Sequence, residues 1–245
     1  MRIHFIQHEV FEAPGAYLAW AEKQQHEVTF SQVYQQDLLP DEIDSVDVLI
    51  IMGGPQSPDS SPSEYPYFDA KAEIAFIRRC IDAGKAVVGI CLGAQLIGEA
   101  LLAKYEHSPQ KEIGVFPITL TAAGINDSKI AHFGSPLSVG HWHNDMPGLT
   151  PESEILASSA GCPRQIVRYT NLVYGFQCHM ELTTEVVRLL IASEEDLLLQ
   201  SQLHQFVQLP DVIQAYDYNE MNNKLHTFLD LLECAYRRSL VNKCA

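Results

Sequence analysis

The chain is short of positive charge. Among its 245 residues, 16 Lys and Arg face 31 Asp and Glu, for a formal net charge of -15. A surface that negative repels phosphate backbones and anionic bilayers, so nucleic-acid binding through a broad basic patch is disfavoured and no membrane partner is expected. Long apolar runs are missing as well. No stretch reaches the roughly 20 apolar residues of a membrane-spanning helix. The amino-terminal MRIHFIQHEVFEAPG lacks the apolar centre of a secretory signal. Cysteines at metal-site spacing are absent too. Cys80, Cys91, Cys162, Cys178, Cys234 and Cys244 are therefore expected to be free thiols in a cytoplasmic protein. There is no internal repeat and no sustained heptad.

What the chain does have is the composition of a globular protein, with 47% hydrophobic and 19% charged residues, and enough length for one core and a small extension. Segments 2–7 and 28–34 predict strands, with a helix at 16–24 between them. VDVLIIM (46–52) and KAVVGI (85–90) are continuous apolar runs, as strands buried on both faces should be. GGPQSPDSSPSEYP follows the first run as a long loop, and a helical pattern then runs from Phe68 to Asp82. LGAQLIGEALLA (92–103) predicts another helix. This alternation argues for an open, mostly parallel α/β sheet with helices on both faces. Residues 111–180 break into short extended segments, and HMELTTEVVRLLIAS leads into a helix. Beyond Glu194 the chain turns polar and helical through Gln208, breaks at Pro210-Asp211, and ends in a helix near 219–240. The expected division is a domain of residues 1–193 followed by a helical carboxy-terminal extension, 194–245.

Cys91 stands where a buried strand ends and a helix begins. Reacting groups of open α/β sheets gather at that edge, and a helix amino terminus favours a thiolate. Gly89 and Gly93 flank Cys91 at two-residue spacing, the pattern of a nucleophile elbow. The local pattern alone leaves a buried structural cysteine equally open. A thiolate nucleophile needs a base, and the base needs orienting. His179 and Glu181, with one residue between them at the end of an apolar strand, would point the same way. Gly53-Gly54-Pro55 ends another buried strand, where backbone N–H groups could hold a developing oxyanion.

GGP at 53–55, GICLGAQ at 89–95 and YGFQCHME at 174–181 occur together in an order that resembles the class I glutamine amidotransferases. The likeness is to the domain found in GMP synthases and its stand-alone relatives, and it spans roughly residues 1–193. It implies a flavodoxin-like fold and hydrolysis of the glutamine side-chain amide through a cysteinyl thioester. Cys91 would be the nucleophile, His179 the base and Glu181 its orienter, with the N–H groups of Gly54 and Leu92 as oxyanion hole. Gln95, Gln165 and His143 are the residues it implies for substrate contact, Gln165 being open to packing instead. One departure is His179-Met180-Glu181, where the family usually has His-Pro-Glu. The resemblance implies no cofactor. It leaves the ammonia acceptor to a separate synthetase subunit, or makes the protein a γ-glutamyl hydrolase in its own right. The chain has no G-x-x-x-x-G-K-[ST] loop for using ATP. A third possibility is a non-enzymatic regulator that keeps the fold.

Other residues fit less chemistry. His141, His143 and Asp145 alternate along a strand, but no well-spaced further ligand completes a metal site, and none is expected. His4, His8 and Glu9 could reach the pocket or lie on the loop surface. Cys178 should point into packing. Leu225, Phe228, Leu229, Leu232 and Tyr236 fall at helical spacing and could pack on the core or form a homodimer.

Overall fold

A computed structural model describes residues 1–243; Cys244 lies outside the described residues. The first half alternates strands and helices except between β2 and β3: β1 (Arg2–Gln7), α1 (Gly15–Lys23), β2 (Glu27–Gln32), β3 (Val48–Ile51), α2 (Ala70–Asp82), β4 (Ala86–Ile90) and α3 (Leu92–Ala100). Then come β5 (Glu106–Leu120), α4 (Ala122–Asn126), β6 (Leu137–Met146), β7 (Glu154–Ser158), β8 (Ile166–Thr170) and β9 (Val173–Phe176). The last stretch holds α5 (Thr184–Ser193), α6 (Leu197–Leu203), β10 (Phe206–Val207), α7 (Pro210–Gln214) and α8 (Asn219–Lys243).

The strands form one mixed sheet in the order β10-β5-β7-β8-β9-β4-β3-β1-β2, with β6 paired to β5. Strands β2, β1, β3, β4 and β9 run parallel. The pairings β9–β8, β8–β7, β7–β5 and β5–β6 are antiparallel. The apolar runs are continuous because both faces are covered. Val48, Ile50, Val88 and Ile90 pack on one side with α1, α5 and α8. Leu49, Ile51 and Val87 pack on the other with α2 and α3. Side chains alternate across the sheet, so each strand must be apolar at every position. Asp69 caps α2 by accepting from Ala72 N–H at 3.0 Å, and Thr183 caps α5 through Val186 N–H.

The structure differs from expectation at several places, including the third helix, which ends at Ala100 and not at 103. The second strand stops at Gln32, and Val33–Gln35 form a 3-10 turn. Phe206–Val207, expected to be helical, pair with Glu112 and Ile113 of β5. Pro210 does not break structure but opens α7, where its missing N–H costs nothing. Helix α8 lies on the sheet: Leu225, Phe228, Leu229, Leu232 and Tyr236 are all buried in the main core, so that face is not free to meet a second copy. No helix among the described residues is long and apolar enough to cross a membrane.

Candidate active site

Cys91 sits between β4 and α3 with φ 50° and ψ -109°, a conformation a non-glycine residue holds only under constraint. The constraint comes from both sides. Cys91 N–H donates to Phe176 O of β9 at 2.8 Å, and the glycines next to it let α3 press onto β3. A β-carbon on Gly93 would come 2.2 Å from Ile51 O, and one on Gly89 would come 2.3 Å from the Gly93 backbone. The turn lifts the thiol to the floor of a cavity of about 250 Å³. Phe11, Gly54, Gln95, Trp142, His143 and Leu190 are among its walls. Leu92 is the first residue of α3, where an N–H has no intrahelical acceptor. Gly54 packs against it: a β-carbon there would lie 3.1 Å from Leu92 Cδ2.

His179 and Glu181 follow β9. His179 pairs with Gly140 of β6 through N–H···O bonds of 2.8 and 3.0 Å. Its Nδ1 donates to Glu181 Oε1 at 2.6 Å, and both side chains are buried. Glu181 is held through its backbone, since Ala16 N–H donates to its carbonyl at 3.0 Å and Gly15, at φ +45°, leaves room for that carbonyl. Burial pushes the His179 imidazole down. The Glu181 carboxylate and the Cys91 thiol outweigh it and hold the pKa well above the usual value. With Nδ1 committed to Glu181, Nε2 is the nitrogen left without a hydrogen-bond partner. Met180 in place of proline leaves this pair intact. Asn222 of α8 donates to the carbonyls of Met180 and Leu182, at 2.8 and 3.1 Å, and so brackets Glu181.

Among the expected substrate residues, Gln95 and His143 line the cavity. Gln165 does not. It is fully buried behind His143, and its amide reaches Glu112 at 2.7 Å, Ser159 at 3.0 Å and His143 Nε2 at 3.1 Å. Asp145 is separate from the histidines and meets His107 Nδ1 at 2.6 Å. The third member beside His141 and His143 is Glu112, which no sequence pattern singles out. Ligand atoms of these three lie within 4.8 Å of one another, close enough for a cation. The Glu112 carboxylate already accepts from Ser159, Gln165 and Gly161 N–H, which makes the set a hydrogen-bonded support for His143. Burial pushes His141 down to about 3, against the pull of Glu112.

His4 and His8 are neither on the loop surface nor in the cavity wall. His4 is buried against Thr29 and Ser31, and desolvation lowers it to about 4. His8 donates from Nδ1 to Gly53 O at 3.0 Å and from Nε2 to Glu73 at 2.9 Å. Burial opposes its charge, but Glu73 and the Gly53 carbonyl raise the pKa. His8 thereby anchors the strand end that carries Gly54. All five described cysteines are free, and burial drives the Cys178 thiol well above its usual pKa.

The family model "Glutamine amidotransferase class-I" matches residues 19–191. This chain belongs to the class I glutamine amidotransferase family. It has the flavodoxin-like fold of that family. It is 53% identical over 236 residues to the glutamine amidotransferase-like protein YfeJ of Salmonella typhimurium, covering 96% of this chain and 99% of that protein. A GMP synthase of Caldanaerobacter subterraneus is 28% identical over 170 residues, 65% of this chain and 30% of its own length. The crystal structure of SMU.1228c has a TM-score of 0.94 at 53% identity, over 95% of this chain and all of that one. The class I amidotransferase match stops at residue 191, short of α6–α8.

Proposed function

We propose that this amidotransferase-family chain hydrolyses the side-chain amide of glutamine through a thioester on Cys91. The observation that carries the reading is the strained backbone of Cys91 beside an imidazole already fixed by a carboxylate. In this reading His179 Nε2 takes the thiol proton and the thiolate attacks the amide carbon. The oxyanion then draws on the N–H groups of Gly54 and Leu92. His179 returns the proton to nitrogen as the C–N bond breaks and ammonia leaves. Water, deprotonated by the same imidazole, opens the thioester to glutamate and restores the thiol. Glu181 keeps Nε2 aimed at sulfur and stabilises the imidazolium that forms. Gln95 and His143 orient the substrate in the cavity.

The ammonia acceptor belongs, in this reading, to a separate synthetase subunit, since the GMP synthase aligns through only 30% of its length. A γ-glutamyl conjugate is the second substrate class, cleaved by the same steps with an amine leaving in place of ammonia. Purified protein incubated with glutamine and with γ-glutamyl peptides, beside Cys91→Ala, tests both. Glutamate release lost in the variant supports the reading, and release that survives in the variant rejects it.

A further inference from the structure

Besides Cys91 and His143, four ionisable side chains line the cavity: Glu12, Lys111, Asp145 and Glu194. Three already have partners. Lys111 Nζ donates to Gln200 at 2.5 Å and lies 3.5 Å from Glu194. Glu194 also accepts from Trp142 Nε1 at 2.8 Å, and Asp145 meets His107. Glu12 is different. It is only 6% exposed, and the described groups that act most on its carboxyl do so through charge and not through a hydrogen bond. A β-carbon on Gly53 would come 2.5 Å from Glu12 Oε2 and 3.3 Å from Cys91 Cβ, so the carboxyl and the thiol flank the same peptide step.

The charged groups facing Glu12 are His179 and Glu181, from the turn after β9, with His8 and Glu9 from its own loop. Each is engaged elsewhere. Glu181 holds His179, His8 is bound to Glu73 and Gly53 O, and Glu9 accepts from Gln56 and Tyr67. A buried carboxylate with no donor is costly, and an unsatisfied buried group of this kind calls for a partner that completes the site. Burial is the first cause that lifts the Glu12 carboxyl to about 7, followed by the opposing influences of His179 and Glu181.

We propose that Glu12 is a specificity-determining residue that binds the α-ammonium group of a γ-glutamyl substrate. This rests on the γ-glutamyl reading above. In glutamine the α-nitrogen stands four bonds from the scissile carbonyl carbon and carries the molecule's one positive charge. An ammonium group both donates to the carboxylate and cancels its charge, whereas a neutral amide only donates. Substrates with a free α-amino group are therefore accepted, and those blocked there are rejected.

The test compares the rate at which 6-diazo-5-oxonorleucine labels Cys91 with the rate for its N-acetyl derivative, read by intact mass. Wild-type protein and the variants Glu12→Gln and Glu12→Asp are each treated with both reagents. The wild type should favour the free amine by about 10- to 100-fold, the size of one charge-assisted hydrogen bond. Glu12→Gln should collapse that preference to a few-fold, and Glu12→Asp, which keeps the charge, should retain part of it. A Glu12→Gln variant that keeps the full preference would show the discrimination to be steric and overturn the assignment. Equal labelling of the wild type by both reagents would overturn it while leaving the γ-glutamyl reading in place. Labelling by neither would sink that reading and this one together. If Glu12→Gln does not fold, the wild type decides: the preference should grow as pH rises through about 7, and a flat profile counts against the assignment.

Discussion

The side-chain amide of Asn222, in the last helix, donates to the carbonyl of Met180 at 2.8 Å, between the two residues of the His179–Glu181 pair. A second bond reaches Leu182 O at 3.1 Å. Asn222→Ala removes both and frees the turn that aims the imidazole. Each such bond contributes about 1 kcal/mol, so kcat should fall by up to about 30-fold with KM little changed. Steady-state glutaminase kinetics check this, and an unchanged kcat would show that the turn is held without Asn222.

Truncation ahead of α8 should be far more damaging. Leu225, Phe228, Leu229, Leu232 and Tyr236 would be lost from the core, and Tyr174 and Phe176 uncovered. At about 1.5–3 kcal/mol for each large apolar side chain, the loss rivals the 5–15 kcal/mol that typically holds a domain together. A chain ending near residue 215 is expected to be insoluble or to lack a cooperative thermal transition.

The backbone of Cys91 predicts an inverted order of stability. Alanine is ordinarily the better residue by about 0.5–1 kcal/mol over glycine inside regular structure. At φ 50°, ψ -109°, Cys91→Ala keeps a strain that costs about 1–3 kcal/mol and Cys91→Gly relieves it. Both variants should be inactive, and the glycine variant should melt at least as high as the alanine variant. A lower melting point for glycine would mean that the turn carries little strain.

Glu12 should leave a mark on stability as well as on selectivity. Its folded pKa, about 7, lies above the ordinary carboxyl value of 4.5. The folded protein therefore binds the Glu12 proton more tightly than the unfolded chain does. The resulting stabilisation is complete below about pH 4.5 and is lost as pH rises through about 7, amounting to roughly 3 kcal/mol. Glu12→Gln cannot lose it. The melting temperature of Glu12→Gln relative to wild type should climb between pH 5 and 8; a gap that stays constant would mean the carboxyl titrates normally.

Much of this architecture is visible in the residues themselves. VDVLIIM and KAVVGI declare buried strands because a sheet covered on both faces needs apolar side chains at every position. Cys91 between two glycines marks its turn because only residues without side-chain bulk fit against Ile51 O. Glu112 was hidden because it joins the histidines through strand pairing: β5 and β6 run antiparallel, and Glu112 falls opposite His143. Glu12 is one acidic residue among 31, in a loop whose composition gives no sign that it turns inward. The β10 strand is two residues long, too short for any periodicity to register. Asn222 acts across 42 residues of sequence on a backbone carbonyl, which no side-chain pattern can announce.

That last contact bears on how the protein is made. The turn bearing His179 and Glu181 leaves the ribosome well before Asn222 does. A nascent chain that has emerged only as far as α7 therefore lacks both the apolar cover of the sheet and the hydrogen bonds that fix this turn. In the proposed mechanism, Cys91 is thus matched with an aimed base only after α8 has docked on the sheet.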